Sequence, residues 1–515
     1  MVNQTTHLCV GTVFAMRRQS FDVLLVGRSQ LHRTLTQPMS TPTSVPTNNS
    51  VKFENSQGHA LSANILRMRR YTISFEIYNP YSVVQLSEVL KGFRIRLNGR
   101  LIYDGEAVVS SIVNTGVLLV CEATLSSGWK EVDFLASSDQ RGGLVSQFEE
   151  FVHDWKRAHH VSSDFKLQVA DMQNMLIGMR RWLEQIDLGI RSNDTADPGG
   201  LEEQVISEIE QSIVNEWYPM MTGFENCSRS IALIEQPAHK FYIRRQIHPL
   251  VLCSPFTYRT YTKPLGYAGD YEMVNMMLGN PYKGVNLYSK LLNRVFLETA
   301  PVVAHRNRIK YLVEVLETEA HRCFESGRRL KVLNLGCGPA QEIQSFIKTK
   351  EISDQCDFTL LDFNKETLDY TSKLLNDMIS GMGRGTRIET IERSVHQLLK
   401  QASKGDVDME WESYDLVYCA GLFDYLSQKV CKRLVELFSK LICTNGLVVF
   451  TNVASTNPSI GWMEYVLEWN LVYRSDWEML DLIPLNGTVL KSDLKRDETG
   501  VNLFLELRKI PMHQG

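Results

Sequence analysis

The arrangement of apolar positions changes character several times along the chain. Residues 34–50, TLTQPMSTPTSVPTNNS, are almost all Thr, Ser, Pro, Asn and Gln. Such a segment buries too little apolar area to offset the entropy of ordering it, so residues 1–50 are expected to form a disordered N-terminal segment and linker. Over 51–140 short β-branched and aromatic runs take over: Tyr71 to Tyr78, Phe93 to Leu97, Ala107 to Val113 and Val117 to Cys121. Asn-Gly, Asp-Gly and Thr-Gly pairs separate them, which predicts a small antiparallel barrel or sandwich. Over 141–240 the spacing becomes three and four. Phe148, Phe151 and Trp155, then Met172, Met175, Met179, Trp182 and Ile186, then Val205, Ile209, Ile213 and Trp217 predict helices, with a break at Ser192 to Gly200.

Beyond Lys331, apolar runs of strand length alternate with helical segments. Lys331 to Leu335, Phe358 to Leu361, Arg387 to Ile391, Tyr414 to Cys419 and Gly446 to Phe450 read as parallel strands covered on both faces, because their hydrophobicity is continuous rather than alternating. Asn364 and Ser427 are candidate helix N-caps, and Val501 to Leu507 is a final, antiparallel strand. The fold class is therefore α/β: a doubly wound, Rossmann-like domain preceded by a small β-barrel and a helical middle region.

Composition narrows the setting. The 515 residues are 43% hydrophobic and 22% charged, with a net charge of -4, which excludes a basic nucleic-acid footprint. Ten cysteines lack any Cys-x-x-Cys pair, so reduced cytoplasmic thiols are expected rather than disulfides or a metal site. No run is long and apolar enough for a membrane span or a signal peptide. A cytoplasmic location is expected.

The sharpest local signal is Val332-Leu-Asn-Leu-Gly-Cys-Gly-Pro339, an apolar strand ending in a Gly-x-Gly turn before a helix. The turn lets a ligand approach backbone that a Cβ would shield. Asp362 closes the next strand 26 residues after Gly336, where an acid can accept both hydroxyls of a ribose. A nicotinamide site usually has a third glycine aiming the helix at a pyrophosphate; here Gln341 and Glu342 follow, which suits a cationic sulfonium better. The expected cofactor is S-adenosylmethionine, with a dehydrogenase as the weaker reading. Gly336, Cys337, Gly338, Pro339, Asp362 and Phe363 form the first part of the cofactor set. Ser394 and Val395 follow the third strand, where methyltransferases usually close over the adenine edge, and Ala420, Gly421 and Leu422 follow the fourth, where such enzymes usually face the methionine and methyl group; these are expected to complete the set. Asp424 divides evenly between a site acid and a solvated loop acid.

Lys263-Pro-Leu-Gly-Tyr-Ala-Gly-Asp-Tyr-Glu-Met273, His305-Arg-Asn-Arg308, the LGCGP turn, Ala420 to Ser427 (AGLFDYLS) and Met463 to Trp469 followed by Tyr473-Arg474 together resemble one bacterial family. It comprises the extracellular-factor 3-hydroxypalmitic acid methyl ester biosynthesis proteins, which are class I methyltransferases. The resemblance covers about residues 240–510 and implies a methyltransferase domain over 241–515, with Gly269 and Asp270 joining the cofactor set. It further implies a small-molecule acyl acceptor, a (3-hydroxy) fatty acid esterified to a quorum-sensing signal. Residues 51–140 resemble a PilZ-type barrel, a fold that often binds cyclic diguanylate. Arg67, Arg69 and Arg70 cluster before a strand, yet neither nucleotide signature is intact, so cyclic diguanylate is not an expected partner.

A fatty acid carboxylate is already ionised at neutral pH and needs no general base for methyl transfer, only alignment and water exclusion. Hydroxyl and indole donors, with one cation, would serve: Tyr267, Tyr425, Trp462, Tyr473 and Arg474 are the catalytic candidates. Pro458 to Arg474 is an aromatic insert expected to cover the acceptor, and the methionines from Met172 to Met277 could add an adaptable wall. A different small-molecule acceptor, or a non-catalytic regulator that binds the cofactor, remains an alternative. The sequence leaves a homo-oligomer open.

Overall fold

The computed structural model describes residues 50–511, apart from 70, 78–83, 98–99, 115–118, 129–147, 150–151, 153–159, 193–196, 234, 405–409 and 485–489. The expected linker before Ser50, together with Arg70, Phe151, Trp155 and the Asn98-Gly99 and Thr115-Gly116 turns, lies outside the described residues.

Strands β1 (Ser50–Glu54), β2 (Ala60–Met68), β3 (Thr72–Ile77), β4 (Val89–Leu97), β5 (Arg100–Asn114) and β6 (Leu119–Leu125) close into an antiparallel barrel in the order β1-β2-β3-β6-β5-β4. Alternation supplies the core: Phe53 stacks on Phe93 at 5.5 Å, and Phe75 tilts against both. Asp104-Gly105, expected as a turn, lies inside β5. A bulge at Lys91-Gly92 faces it, with Leu90 opposite Ala107 and Phe93 opposite Gly105. Gly105 is there for space, because a Cβ would stand 2.7 Å from the Tyr103 hydroxyl, which donates to Glu106 O at 2.6 Å.

The helical region begins with α1 (Ser163–Ser192), α2 (Pro198–Ser230) and α3 (Gln236–Val251). α2 starts inside the predicted break: Asp197 caps it by accepting from Gly200 N–H at 3.0 Å, and proline is tolerated in a first turn. Helices α4 (Pro255–Thr262), α5 (Tyr271–Leu278), α6 (Leu287–Leu297) and α7 (Ala300–Glu325) lead into the sheet. Among the described residues no helix is long and apolar enough to cross a membrane.

The sheet contains β7 (Leu330–Leu335), β8 (Cys356–Asp362), β9 (Arg387–Glu392), β10 (Tyr414–Cys419), β11 (Ile442–Val453), β12 (Leu490–Arg496) and β13 (Asn502–Lys509). Its order is β12-β13-β11-β10-β7-β8-β9. β9 to β11 run parallel and β13 is antiparallel to β11. Helices α8 (Gln341–Thr349), α9 (Lys365–Met382), α10 (Val395–Lys404) and α11 (Gln428–Leu441) connect the parallel strands. Asn364 caps α9 as expected, accepting from Thr367 N–H at 2.9 Å, whereas Ser427 precedes α11 without a side-chain capping bond. Two readings need correction. Arg387 to Ile391 is an edge strand with mostly exposed or half-buried residues, not a covered one. β12 was not anticipated, because its Leu-Lys-Ser-Asp-Leu-Lys-Arg pattern belongs to an exposed edge.

The barrel is joined to the rest by the ring of Tyr71, stacked on Phe241 of α3 at 4.5 Å, and by a seam around Ser87. Val89 N–H donates to Gly266 O at 2.7 Å, and a Cβ on Gly266 would press on Ser56. Ser87, fully buried, donates from Oγ to Asn470 O at 2.9 Å and accepts from Asn470 N–H at 2.7 Å. Ser87→Ala strands both buried backbone groups, and should cost about 2–4 kcal/mol, read as a lowered urea midpoint. An unchanged midpoint would mean that the seam contributes little to stability.

Candidate methyl-transfer site

In a doubly wound sheet the ligand crevice lies beyond the carboxyl ends of the strands, where the connections change direction. Here that point falls between β7 and β10. A cavity of about 180 Å³ occupies it. Its floor is the turn after β7, with Gly336 at φ +70° and Gly338 at φ +51°, values that strain any residue with a Cβ. Asp362 ends β8 opposite this turn. Its carboxylate accepts from Gly338 N–H at 3.1 Å and Asn364 N–H at 3.0 Å. Burial raises its pKa, and the surrounding backbone N–H groups oppose the rise.

The predicted cofactor residues Gly336, Cys337, Gly338, Pro339, Asp362, Phe363, Ser394, Val395, Ala420, Gly421 and Leu422 all line this cavity. Gly269 does too, at φ +79°, where a Cβ would come within 2.9 Å of the Tyr425 hydroxyl. Asp270 does not. It is buried as the N-cap of α5, accepting from Met273 N–H at 2.8 Å and from Arg259 Nε at 2.9 Å.

The catalytic candidates separate. Tyr425 lines the cavity and its hydroxyl accepts from Trp469 Nε1 at 2.8 Å, which leaves its own proton to donate. Tyr267 also lines it but at the Asp362 end: its ring packs edge-on to Phe363 at 5.2 Å and its hydroxyl meets Thr367 Oγ1 at 3.4 Å. Trp462, Tyr473 and Arg474 are not among the lining residues. Trp462 turns into the helical core, stacked on Phe296 at 5.3 Å, because Glu225 takes its backbone N–H. Tyr473 packs behind the lining with its hydroxyl buried and unpartnered among the described residues. Arg474 is buried and donates to Phe423 O, Leu426 O, Gln428 and Asn452.

The aromatic insert is thus divided. Met463, Trp469 and Leu471 roof the cavity, while Trp462, Val466 and Leu467 join the helical core. Of the methionines, Met273 and Met277 reach the cavity; Met172, Met175, Met179, Met220 and Met221 pack among the helices.

Several lining residues were outside the predicted set. Asn334 and Tyr418 both donate to Glu342, at 3.2 and 2.7 Å, holding that acid at the start of α8; burial raises its pKa. Arg308, on α7, lies against Gly421, where a Cβ would stand 3.0 Å from the guanidinium. Its Nη2 donates to His305 Nδ1 at 2.7 Å. Asp424 is buried, which overturns the solvated reading, and accepts from Val453 N–H at 2.6 Å. The barrel supplies Gln85 and Leu86 to the wall. The His305-Arg308 spacing on one helix face was a usable signal; nothing local marks Gln85 or Leu86.

No family model matches the chain. An uncharacterized protein of Rickettsia prowazekii (strain Madrid E) is 23% identical over 147 residues, which are 28% of this chain and 50% of that protein. The chain thus spans about half the length of that relative. Among solved structures, a "possible exported protein" of Bordetella parapertussis is 16% identical, covering 50% of this chain and 86% of its own, at a TM-score of 0.38. Magnesium protoporphyrin IX methyltransferase from Synechocystis PCC 6803, with bound SAH, is 10% identical and covers 52% of this chain and 99% of its own, at a TM-score of 0.33. The strand order, with its reversed strand next to the edge and its glycine turn at the change of direction, defines the class of fold: a doubly wound α/β sheet carrying an N-terminal barrel.

Burial raises the Asp424 pKa to about 6, against the pull of Val453 N–H, Arg308 and Arg474. The folded value lies above the ordinary 3.8. The group's contribution to stability is therefore full below pH 3.8 and lost as pH rises through 6, a change on the order of 3 kcal/mol. Thermal melts of wild type and Asp424→Asn from pH 4.5 to 7.5 should show the variant gaining on the wild type with rising pH. A constant offset would mean that Asp424 does not titrate in this window.

Proposed function

We propose that the protein is an S-adenosylmethionine-dependent methyltransferase that esterifies the carboxylate of an acyl chain. The observation that carries this reading is one cavity with two unlike ends. At one end stand the positive-φ glycines, Asp362 and the α8 start; at the other is an apolar roof of Met463, Trp469, Leu471 and Leu86. The first end fits the cofactor. Asp362 would take its ribose, Glu342 and Asp424 offset a sulfonium charge, and Arg308 is within reach of the loop expected to face its methionine carboxylate. Bound there, the cofactor supplies an electrophilic methyl group.

The protein's own part is alignment. Tyr425, with its hydroxyl proton free to donate, orients the acceptor oxygen, and the roof excludes water. No general base is required, because the acceptor is already an anion. Leu86 and Leu471 also line a second cleft of about 780 Å³ against α3, so a long tail would leave the cavity between them. The 180 Å³ volume favours, as a second reading, a smaller carboxylic acid. The same proposal divides the chain into a PilZ-like barrel over 51–140, a helical region over 141–240 and the catalytic domain over 241–515.

Isothermal titration tests the cofactor end: Asp362→Ala should lose S-adenosylmethionine binding with its fold retained, and unchanged affinity would remove the assignment. Fatty acids of eight to eighteen carbons test the other end. Each buried methylene is worth about 0.8 kcal/mol, so kcat/KM should rise several-fold per carbon pair until the tail passes Leu86 and Leu471, then level off. Equal activity on short and long acids would remove the acyl groove. Methylation of a phenol or an amine, but of no acid, would remove the esterifying reading.

A further inference from the structure

His305 lies on α7 four residues after Pro301 and three before Arg308, all three lining the cavity. Its ring has only one chemically consistent state. Arg308 Nη2 sits 2.7 Å from Nδ1, and a guanidinium has donors only, so Nδ1 accepts and the ring hydrogen resides on Nε2. Burial, and then the cations of Arg308 and Arg306, hold the imidazole pKa well below its ordinary value, so the ring is neutral. Nε2–H is thus a fixed donor, and it is buried without a partner among the described residues. A buried donor left unsatisfied is costly, about 1–3 kcal/mol, and in a ligand cavity it marks where an acceptor oxygen belongs.

Two features place that oxygen on the methyl acceptor. Along α7, Leu312, Ile309 and Arg308 come successively nearer the helix start, and Arg308 is the one that touches Gly421 at the cofactor end. One turn further out, Ala304 beside His305 packs into a separate apolar cluster with Val453, Met463 and Leu471, the roof of the acceptor end. Asn502 fixes that turn by donating to Ala304 O at 2.8 Å. The Tyr425 and Trp469 rings pack against the same cluster.

We infer that His305 Nε2–H binds the carboxylate of an acidic methyl acceptor, with Arg308 locking the imidazole in the donor tautomer. This rests on the methyltransferase reading and deepens it: the site selects acids over alcohols and amides of the same shape. His305 is an acceptor-binding residue, and Arg308 positions it.

The test uses the full chain with decanoate and decanol as probes, titrated with and without saturating S-adenosylhomocysteine. Wild type should bind decanoate at least about tenfold more tightly than decanol, the size of one hydrogen bond to a charged group. His305→Ala should lose that preference while its S-adenosylhomocysteine affinity stays at the wild-type value. His305→Gln, whose amide N–H can stand near Nε2, should retain part of the preference and guards against a folding failure in the alanine variant. The same decanoate-to-decanol ratio in wild type and both variants would overturn the inference. So would a parallel loss of S-adenosylhomocysteine affinity, which would put the cofactor's own carboxylate on His305. Wild type that binds no S-adenosylhomocysteine would instead overturn the methyltransferase reading, while the titration without it still decides the carboxylate preference.

Discussion

Burying a guanidinium is costly unless its donors find acceptors, and Arg474 imposes that demand on the carboxyl end of the sheet. Its partners are the carbonyls of Phe423 and Leu426, Gln428 at the start of α11, Cys431 Sγ in the same helix, and Asn452 near the end of β11. Satisfying them pins the exit from β10, the end of the neighbouring strand and the returning insert to one another. The pinned loop carries Asp424 and Tyr425 into the cavity wall. Arg474 and Arg308 both draw down the pKa that burial raises at Asp424, and Arg308 in turn holds His305. The polar geometry of the cavity is thus organised by two cations, of which only Arg308 lines it.

That arrangement explains what sequence could and could not convey. Parallel strands β7 and β10 were legible because burial on both faces keeps the run largely apolar, as in Val332 to Leu335, where Asn334 is the one amide, and in Leu416 to Cys419. The turn at Gly336 was legible because its positive φ restricts the residue types allowed, and Asp362 because the apolar run that it closes marks the end of a strand. Arg474 and Trp462 were placed on the wrong side, since an aromatic and basic stretch has the same composition whether it faces a ligand or the core. The direction was decided by distant groups: Glu225 on α2 captures the backbone of the insert, and Asn452 captures the arginine. Edge strand β12 escaped because its alternation is almost wholly polar.

The cavity has a gradient of character. Around the glycine turn nearly every side-chain polar group already has a partner, as with Glu342 held by Tyr418 and Asn334. Toward the insert the lining becomes thioether, indole and aliphatic, and dedicated polar partners thin out to Tyr425 and His305. A fully satisfied polar network is rigid, whereas a thioether such as Met463 can repack around different shapes. The glycine-turn end is therefore the more rigid of the two.

The seam at Ser87 and Asn470 joins positions 383 residues apart, and it brings Leu86 of the barrel to the same wall as Leu471 of the insert. The barrel is consequently not an appendage that recombination could exchange freely. A lineage that replaced it would inherit an intact glycine turn beside a cavity with one side missing. Conversely, drift in the few residues from Gln85 to Ser87 alters the wall without touching the glycine turn. Divergence among descendants of such a chain should therefore be recorded as paired changes in two short, remote stretches, while the glycine turn stays still.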